Sequence, residues 1–352
     1  MTTPTLSGFS SVICLSVGSC ITVGAYAVGF NDFQGLIDST FSGSSNRYVA
    51  LGDSVPFGFG LANADKKSEG GLSPNMGPSS LAYPSLLAND LGLSLSLRST
   101  GCTLANDNLA VSGAPSVINL WSGKDTDCHY KGVPVPPHKA VFPDELNAAN
   151  LVQDPPALVT IQVGANDIDF SGCLTHLLGV RRNPFTDSTN CVLQAKGGKF
   201  TLPRRVQEEL SSLQSKLSSI IKIVHEDSPS AQILVLGYYE PVPAQTETLE
   251  QFIGASTVCK LLETAQAAGT LVSERAEADY LQGQLNTIIA SVVSSYPYST
   301  FVNIASLFSG HEMCVVNSSN VSQSWLFDGV WDAAHPNILG QEAIAKAVES
   351  DL

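Results

Sequence analysis

Tyr48-Val49-Ala50-Leu51-Gly52-Asp53-Ser54 is a β-branched and aromatic run that stops at a glycine, with a serine two residues beyond it. The run has strand character, and the glycine permits a sharp exit from a buried strand. If a helix follows, Ser54 stands at its N-terminus, where free backbone N–H groups favour developing negative charge. That is a suitable place for a nucleophile. Taken alone, the serine is better read as an ordinary N-cap. The rest of the chain has to decide.

Outward from this stretch, short apolar runs alternate with helical patterns. Arg47 to Leu51 is the first strand, and Ala82 to Leu91 reads as a helix ended by Gly92. Leu93 to Leu97 alternates with serines and reads as a half-buried strand. Ala157 to Val163 reads as a buried strand that runs into Gly164-Ala165-Asn166-Asp167. Val206, Leu210, Leu213, Leu217, Ile220, Ile221 and Val224 fall at helical spacing, and Gln232 to Leu236 is a further buried strand. Leu271 to Ser295 is a long helix, Thr300 to Ile304 the last strand and Asn337 to Val348 the closing helix. Residues 121–150 and 173–200 show little periodicity and read as irregular. Short apolar strands between helices predict a parallel sheet covered on both faces. Ligands of such sheets bind beyond the carboxyl ends of the strands, where turn signals stand at Gly52, Gly113 and Gly164.

Composition narrows the function. The 352 residues are 43% hydrophobic and 14% charged, with a formal net charge of −14. No basic run occurs, so a phosphate backbone has nothing to hold and nucleic acid is set aside as a partner. The first thirty residues lack Lys and Arg, are mostly apolar or small, and include Ala25-Tyr26-Ala27, a signal-peptidase pattern. Residues 1–27 are therefore read as a secretory signal peptide, 28–45 as a leader segment and 46–352 as one domain; an uncleaved anchor is the competing reading. Of eight cysteines, Cys14 and Cys20 lie in that signal, leaving Cys102, Cys128, Cys173, Cys191, Cys259 and Cys314. Six fit an oxidising compartment and allow 15 pairings, among which sequence alone does not choose. No Cys-x-x-Cys or His-x-x-x-His spacing supports zinc, and no cofactor is implied. Asn317 and Asn320 begin glycosylation sequons.

One histidine has a distinctive context: Asp332-Ala333-Ala334-His335-Pro336. A carboxylate three residues before a histidine can reach its Nδ1–H, fixing the tautomer while Nε2 takes a proton from a serine. A surface pair is the plainer reading of an isolated Asp-x-x-His. His311 and His129 read as structural. Asn166 is either a turn asparagine or an amide aimed at a developing oxyanion, and Gly113 either a turn glycine or an unobstructed backbone donor. No Gly-x-Ser-x-Gly occurs, which excludes the α/β-hydrolase nucleophile elbow.

In order, Gly52-Asp53-Ser54, Gly113, Gly164-x-Asn166-Asp167 and Asp332-x-x-His335-Pro336 resemble the four sequence blocks of the SGNH (GDSL-type) hydrolases. The likeness runs from about residue 47 to 350. Ala82-Tyr83-Pro84, Asp169-Phe170, Phe308-Ser309-Gly310-His311 and His335-Pro336-Asn337 with Gly340 extend it towards the secreted actinobacterial-type esterase and lipase branch. The resemblance implies a flavodoxin-like three-layer α/β/α sandwich around a five-stranded parallel sheet. It implies Ser54 as nucleophile, His335 as general base and acid, and Asp332 as its orienting acid. The oxyanion hole would be the N–H groups of Ser54 and Gly113 with the amide of Asn166. It further implies disulfides Cys102–Cys128, Cys173–Cys191 and Cys259–Cys314. Some relatives replace the carboxylate by a main-chain carbonyl, which leaves the role of Asp332 open.

The sequence thus predicts a secreted, monomeric esterase or lipase that works through an acyl-enzyme, with no membrane span once the signal is removed. Phe57, Phe59 and Leu61 beyond the nucleophile favour an acyl chain as the group received. A carbohydrate O-acetyl esterase with the same triad is the second reading, and a silent binding module the third.

Overall fold

A computed structural model of the chain describes residues 10–16, 19–24, 45–61, 79–95, 110, 151–177, 193–194, 199–249, 256–319, 321–327 and 334–352. It divides into two compact units, Met1–Ser42 and Gly43–Leu352. In the first, β1 (Ser10–Ser16) and β2 (Ser19–Gly24) pair as an antiparallel hairpin.

The second unit is built on a parallel sheet of β3 (Tyr48–Gly52), β4 (Leu158–Gln162), β7 (Gln232–Leu236) and β8 (Ser299–Val302), adjacent in that order. Register pairs Gly52 with Gln162, Ile161 with Val235, and Leu236 with Val302, so the carboxyl ends of all four strands lie along one edge. Every residue of β3 and β4 is buried, which requires cover on both faces. Tyr48, deep in that interior, meets its polar demand by bonding its hydroxyl to Thr160 Oγ1 at 2.7 Å. On the outer side of β3, Ser94 forms a parallel bridge with Arg47, and Tyr48 N–H donates to its carbonyl at 2.9 Å. The alternating stretch expected as a strand from Leu93 is a single bridge among the described residues.

Helices supply the cover. α2 (Tyr83–Leu91) packs against α7 (Ile338–Ser350), and α4 (Arg204–Asp227) against α6 (Leu271–Val293). All seven apolar positions expected to face inward on α4 are buried. α2 ends on Gly92, which adopts the left-handed conformation and caps the helix through the carbonyls of Ala88 and Asn89. α5 (Thr257–Ala268), capped by Ser256, also packs on α6. The result is an α/β sandwich.

Two stretches depart from expectation. The segment after Asp169 begins as α3 (Phe170–Leu177), and a short antiparallel pair, β5 (Leu193–Gln194) and β6 (Phe200–Thr201), precedes α4. Gly172 obscures the helical pattern, and a Cβ there would stand 2.5 Å from Asp169 Oδ1, so the carboxylate would have to shift for any other residue. Among the described residues, no helix is long and apolar enough to cross a membrane.

Gln341 joins the first and last parts of this unit. It is fully buried on α7, accepts from Tyr83 N–H at 2.8 Å and donates to the Val55 carbonyl at 3.0 Å. Both ends of its amide are thereby satisfied.

Candidate active site

The chain leaves β3 at Gly52, whose φ of +148° is open to glycine and whose missing Cβ would otherwise lie 2.4 Å from the Gln162 carbonyl oxygen. A one-turn helix, α1 (Ser54–Phe57), follows directly. Its N-cap is Asp53, not Ser54: Asp53 Oδ1 accepts from Val55 N–H at 3.0 Å. Assigning the cap to Ser54 misplaces it by one residue. Ser54 is the first residue of the turn, and capping does not occupy its hydroxyl.

That hydroxyl meets a histidine. Nε2 of His335 lies 2.8 Å from Ser54 Oγ. His335 sits at the start of the connection into α7, held by its neighbours: its carbonyl accepts from Phe327 N–H at 2.8 Å, and Leu326 bridges Pro336. Asn337 then caps α7, accepting from Leu339 and Gly340 N–H. Ala334, just before the histidine, holds a left-handed φ of +67°, costly for a residue with a Cβ and maintained only by its surroundings. Phe59 tilts against the imidazole with ring centroids 4.8 Å apart.

Asn166 enters from the neighbouring strand. β4 ends at Gln162, and the turn through Gly164 (φ +127°) places Asn166, half-buried, on the same sheet edge as Ser54. A Cβ on Gly164 would press within 2.9 Å of Leu213 and Leu285, so the turn packs closely onto α4 and α6. Its neighbour Asp167 is buried and ion-paired with Lys216 at 3.1 Å. Gly113 and Asp332 lie outside the described residues, as do Cys102, Cys128, Cys191, Asn320 and His129. Asn317 is exposed.

The remaining polar side chains beneath the site come from residues that no sequence motif singles out. Tyr238 follows β7; its hydroxyl donates to Asp53 Oδ2 at 2.5 Å and accepts from Ala165 N–H at 3.3 Å. The Tyr239 hydroxyl donates to the Ala334 carbonyl at 2.8 Å. Burial pushes Asp53 up to about 6, against the downward pull of the Tyr238 and Val55 hydrogen bonds; Asp167 adds to the rise. Burial, then the Asp53 charge, pushes Tyr238 and Tyr239 upward, so both phenols keep their protons. The signal present in the sequence is Gly237-Tyr238-Tyr239 directly beyond a buried strand, on the edge where such sheets carry their sites.

One expectation about the surroundings changes. Leu61 is only 5% exposed and belongs to the packed interior, whereas Phe57 and Phe59 are both partly open. His311 stacks face to face on Trp325 at 3.8 Å, with Nδ1 2.8 Å from the Gln323 carbonyl oxygen. Cys259 and Cys314 form a disulfide, and Cys173 is disulfide-bonded. Among the described residues no cluster of three or more His, Cys, Asp or Glu side chains is arranged to hold a metal ion.

A serine hydroxyl hydrogen-bonded to an imidazole at a sheet's carboxyl edge is suited to acyl transfer. Comparison with known proteins agrees with that chemistry. Residues 48–348 match the family model described as GDSL-like Lipase/Acylhydrolase. Lipase 1 of Streptomyces coelicolor is 24% identical over 338 residues, spanning 96% of this chain and 94% of its own. The fold is similar to that of an extracellular lipase from Streptomyces rimosus, with a TM-score of 0.51, 19% identity, and coverage of 87% of this chain and 99% of that one. A phospholipase A1 from Streptomyces albidoflavus aligns over 88% of this chain and 100% of its own, at 21% identity and a TM-score of 0.46. With the family model matched from the first sheet strand to the last helix, the chain belongs to the GDSL-like lipase/acylhydrolase family and is an ester-hydrolysing enzyme.

Proposed function

We propose that the protein is a secreted carboxylic-ester hydrolase that acts on lipid or small acyl esters through an acyl-enzyme on Ser54. The observation that carries this reading is the 2.8 Å contact between His335 Nε2 and Ser54 Oγ. His335 takes the hydroxyl proton as Ser54 Oγ bonds to the ester carbonyl carbon, and the carbonyl oxygen becomes an oxyanion. The N–H groups of Ser54 and Gly113 and the amide of Asn166 hold that charge. The intermediate collapses, the C–O bond to the alcohol breaks, and the alcohol leaves with the proton from His335. Water then attacks the acyl carbon with His335 as base, and the carboxylic acid departs as Ser54 regains its proton. Asp332, three residues before His335, is assigned to orient the imidazole.

An acyl group is favoured over a sugar by the apolar side chains next to the nucleophile. Phe59 lies against the His335 ring, Phe57 is partly open, and the relative over most of the chain carries the name lipase. Secretion is supported by the apolar signal-like stretch within residues 1–27 and by the Cys259–Cys314 bridge, a bond that oxidising compartments preserve.

A fluorophosphonate label followed by a panel of p-nitrophenyl esters and acetylated xylan tests the reading. Labelling is expected on Ser54 and is expected to vanish in His335→Ala, with acyl esters preferred. Labelling elsewhere would remove Ser54 from the mechanism, and a preference for xylan would turn the assignment to a carbohydrate O-acetyl esterase.

A further inference from the structure

Tyr238 and Tyr239 are consecutive, yet their hydroxyls run to three different loops. Tyr238 bonds Asp53 and Ala165; Tyr239 bonds Ala334. Each of those three residues stands immediately before a residue of the reaction assigned above: Ser54, Asn166 and His335. One dipeptide therefore reaches the turn of the nucleophile, the turn of the oxyanion amide and the turn of the base.

The dipeptide is itself firmly mounted. Tyr238 N–H donates to Asn286 Oδ1 at 2.8 Å, and its carbonyl accepts from Asn286 Nδ2 at 2.8 Å and Gln282 Nε2 at 2.6 Å. This accounts for two buried amides on the inner face of α6, where apolar side chains would ordinarily pack. One residue earlier, the Gly237 carbonyl accepts from Gln162 Nε2 at 2.9 Å, and Gly237 N–H donates to the Val302 carbonyl at 3.1 Å. The Tyr239 ring stacks on fully buried Phe308 at 4.1 Å. Both phenols thus extend from a backbone fixed by two strands and a helix.

We propose that Tyr238 and Tyr239 are positioning residues for ester hydrolysis: from the end of β7 they set the relative placement of Ser54, Asn166 and His335. The proposal rests on the catalytic assignment of those three residues. Tyr238 ties the nucleophile turn to the oxyanion turn through a single oxygen. Tyr239 holds the carbonyl of Ala334, whose left-handed backbone would otherwise relax and carry His335 with it. Reaction rates are sensitive to such placement, since a displacement of about 1 Å can cost about a hundredfold.

Phenylalanine at each position keeps the ring and removes only the hydroxyl. Tyr238→Phe and Tyr239→Phe are each expected to lower kcat on p-nitrophenyl butyrate by about tenfold or more with KM within about twofold, and to slow fluorophosphonate labelling of Ser54 in parallel. Tyr48→Phe is the reference variant. It deletes an equally buried hydroxyl bond, to Thr160 in the same sheet, away from the three turns, and is expected to lower thermal stability with kcat unchanged.

Wild-type kcat in both tyrosine variants would overturn the proposal. So would a comparable kcat loss in Tyr48→Phe, because a purely structural role predicts that any equally destabilising hydroxyl deletion lowers kcat alike. Failure of the catalytic assignment is separately visible: wild-type enzyme would then not label at Ser54, whereas failure of the tyrosine proposal alone leaves that label intact.

Discussion

The phenol of Tyr238 donates to Asp53 Oδ2 at 2.5 Å, and both residues are buried. The carboxylate has two hydrogen bonds from named partners, Tyr238 O–H and Val55 N–H, yet burial still outweighs them and lifts its proton affinity. That imbalance has a measurable result for stability.

Asp53 titrates near 3.8 when free and at about 6 in the folded chain. Below the lower value both states carry the proton. Between the two, the unfolded chain has lost it while the folded chain keeps it, so this group's contribution falls as pH rises. Across the window the loss is about 3 kcal/mol. Asp53→Asn removes the titration. Urea unfolding at intervals from pH 4 to 7 should therefore show wild type losing stability relative to Asp53→Asn; a constant difference would contradict the burial effect.

Asn166→Ala removes the side-chain donor assigned to the oxyanion. Such a donor contributes about 2.7–4 kcal/mol to the transition state, so turnover should fall by about a hundredfold or more. Single-turnover rates on a p-nitrophenyl ester provide the measurement, and near-normal rates would take Asn166 out of the hole.

Gly52→Ala joins two penalties, a φ of +148° and a Cβ placed 2.4 Å from the backbone oxygen of Gln162. Because the obstacle is main chain within a paired strand, it has little room to yield. A destabilisation of about 3 kcal/mol or more is expected. Chemical denaturation reports it directly, and a wild-type midpoint would mean that the β3 exit can be rebuilt.

The Cys259–Cys314 bridge closes a separation of 55 residues. Chain entropy alone assigns such a loop about 4 kcal/mol, and about 2–4 kcal/mol is expected when both cysteines become serine. The double variant should unfold at lower urea than wild type while retaining the Ser54 label under native conditions.

Much of this architecture can be read from residues in order. Parallel strands buried on both faces appear as short apolar runs, which is why Tyr48–Gly52, Leu158–Gln162 and Gln232–Leu236 stand out. The stripe from Val206 to Val224 is visible because α4 has one buried face and one wet one. α3 is harder to see, since Gly172, close against the Asp169 carboxylate, breaks its pattern. α5 hides for another reason: its buried positions include Cys259 and Ala265, which carry little apolar bulk. In the site, Ser54, Asn166 and His335 have recognisable local contexts. Tyr238 and Tyr239 do not, because their partners at Asp53, Ala165 and Ala334 are brought near only by strand order. Periodicity reports which face is buried; it does not report which loops converge.

Gln341 gives the enzyme a schedule. A chain made from its amino end presents Ser54 long before the residue that latches the Val55 carbonyl and the Tyr83 N–H, 286 and 258 positions away. Until α7 exists and docks, the turn bearing Ser54 lacks one of its supports, and His335 has only just been made. On the catalytic assignment proposed above, synthesis yields the serine early and its reactivity late, so that a chain ending before His335 is an inert one.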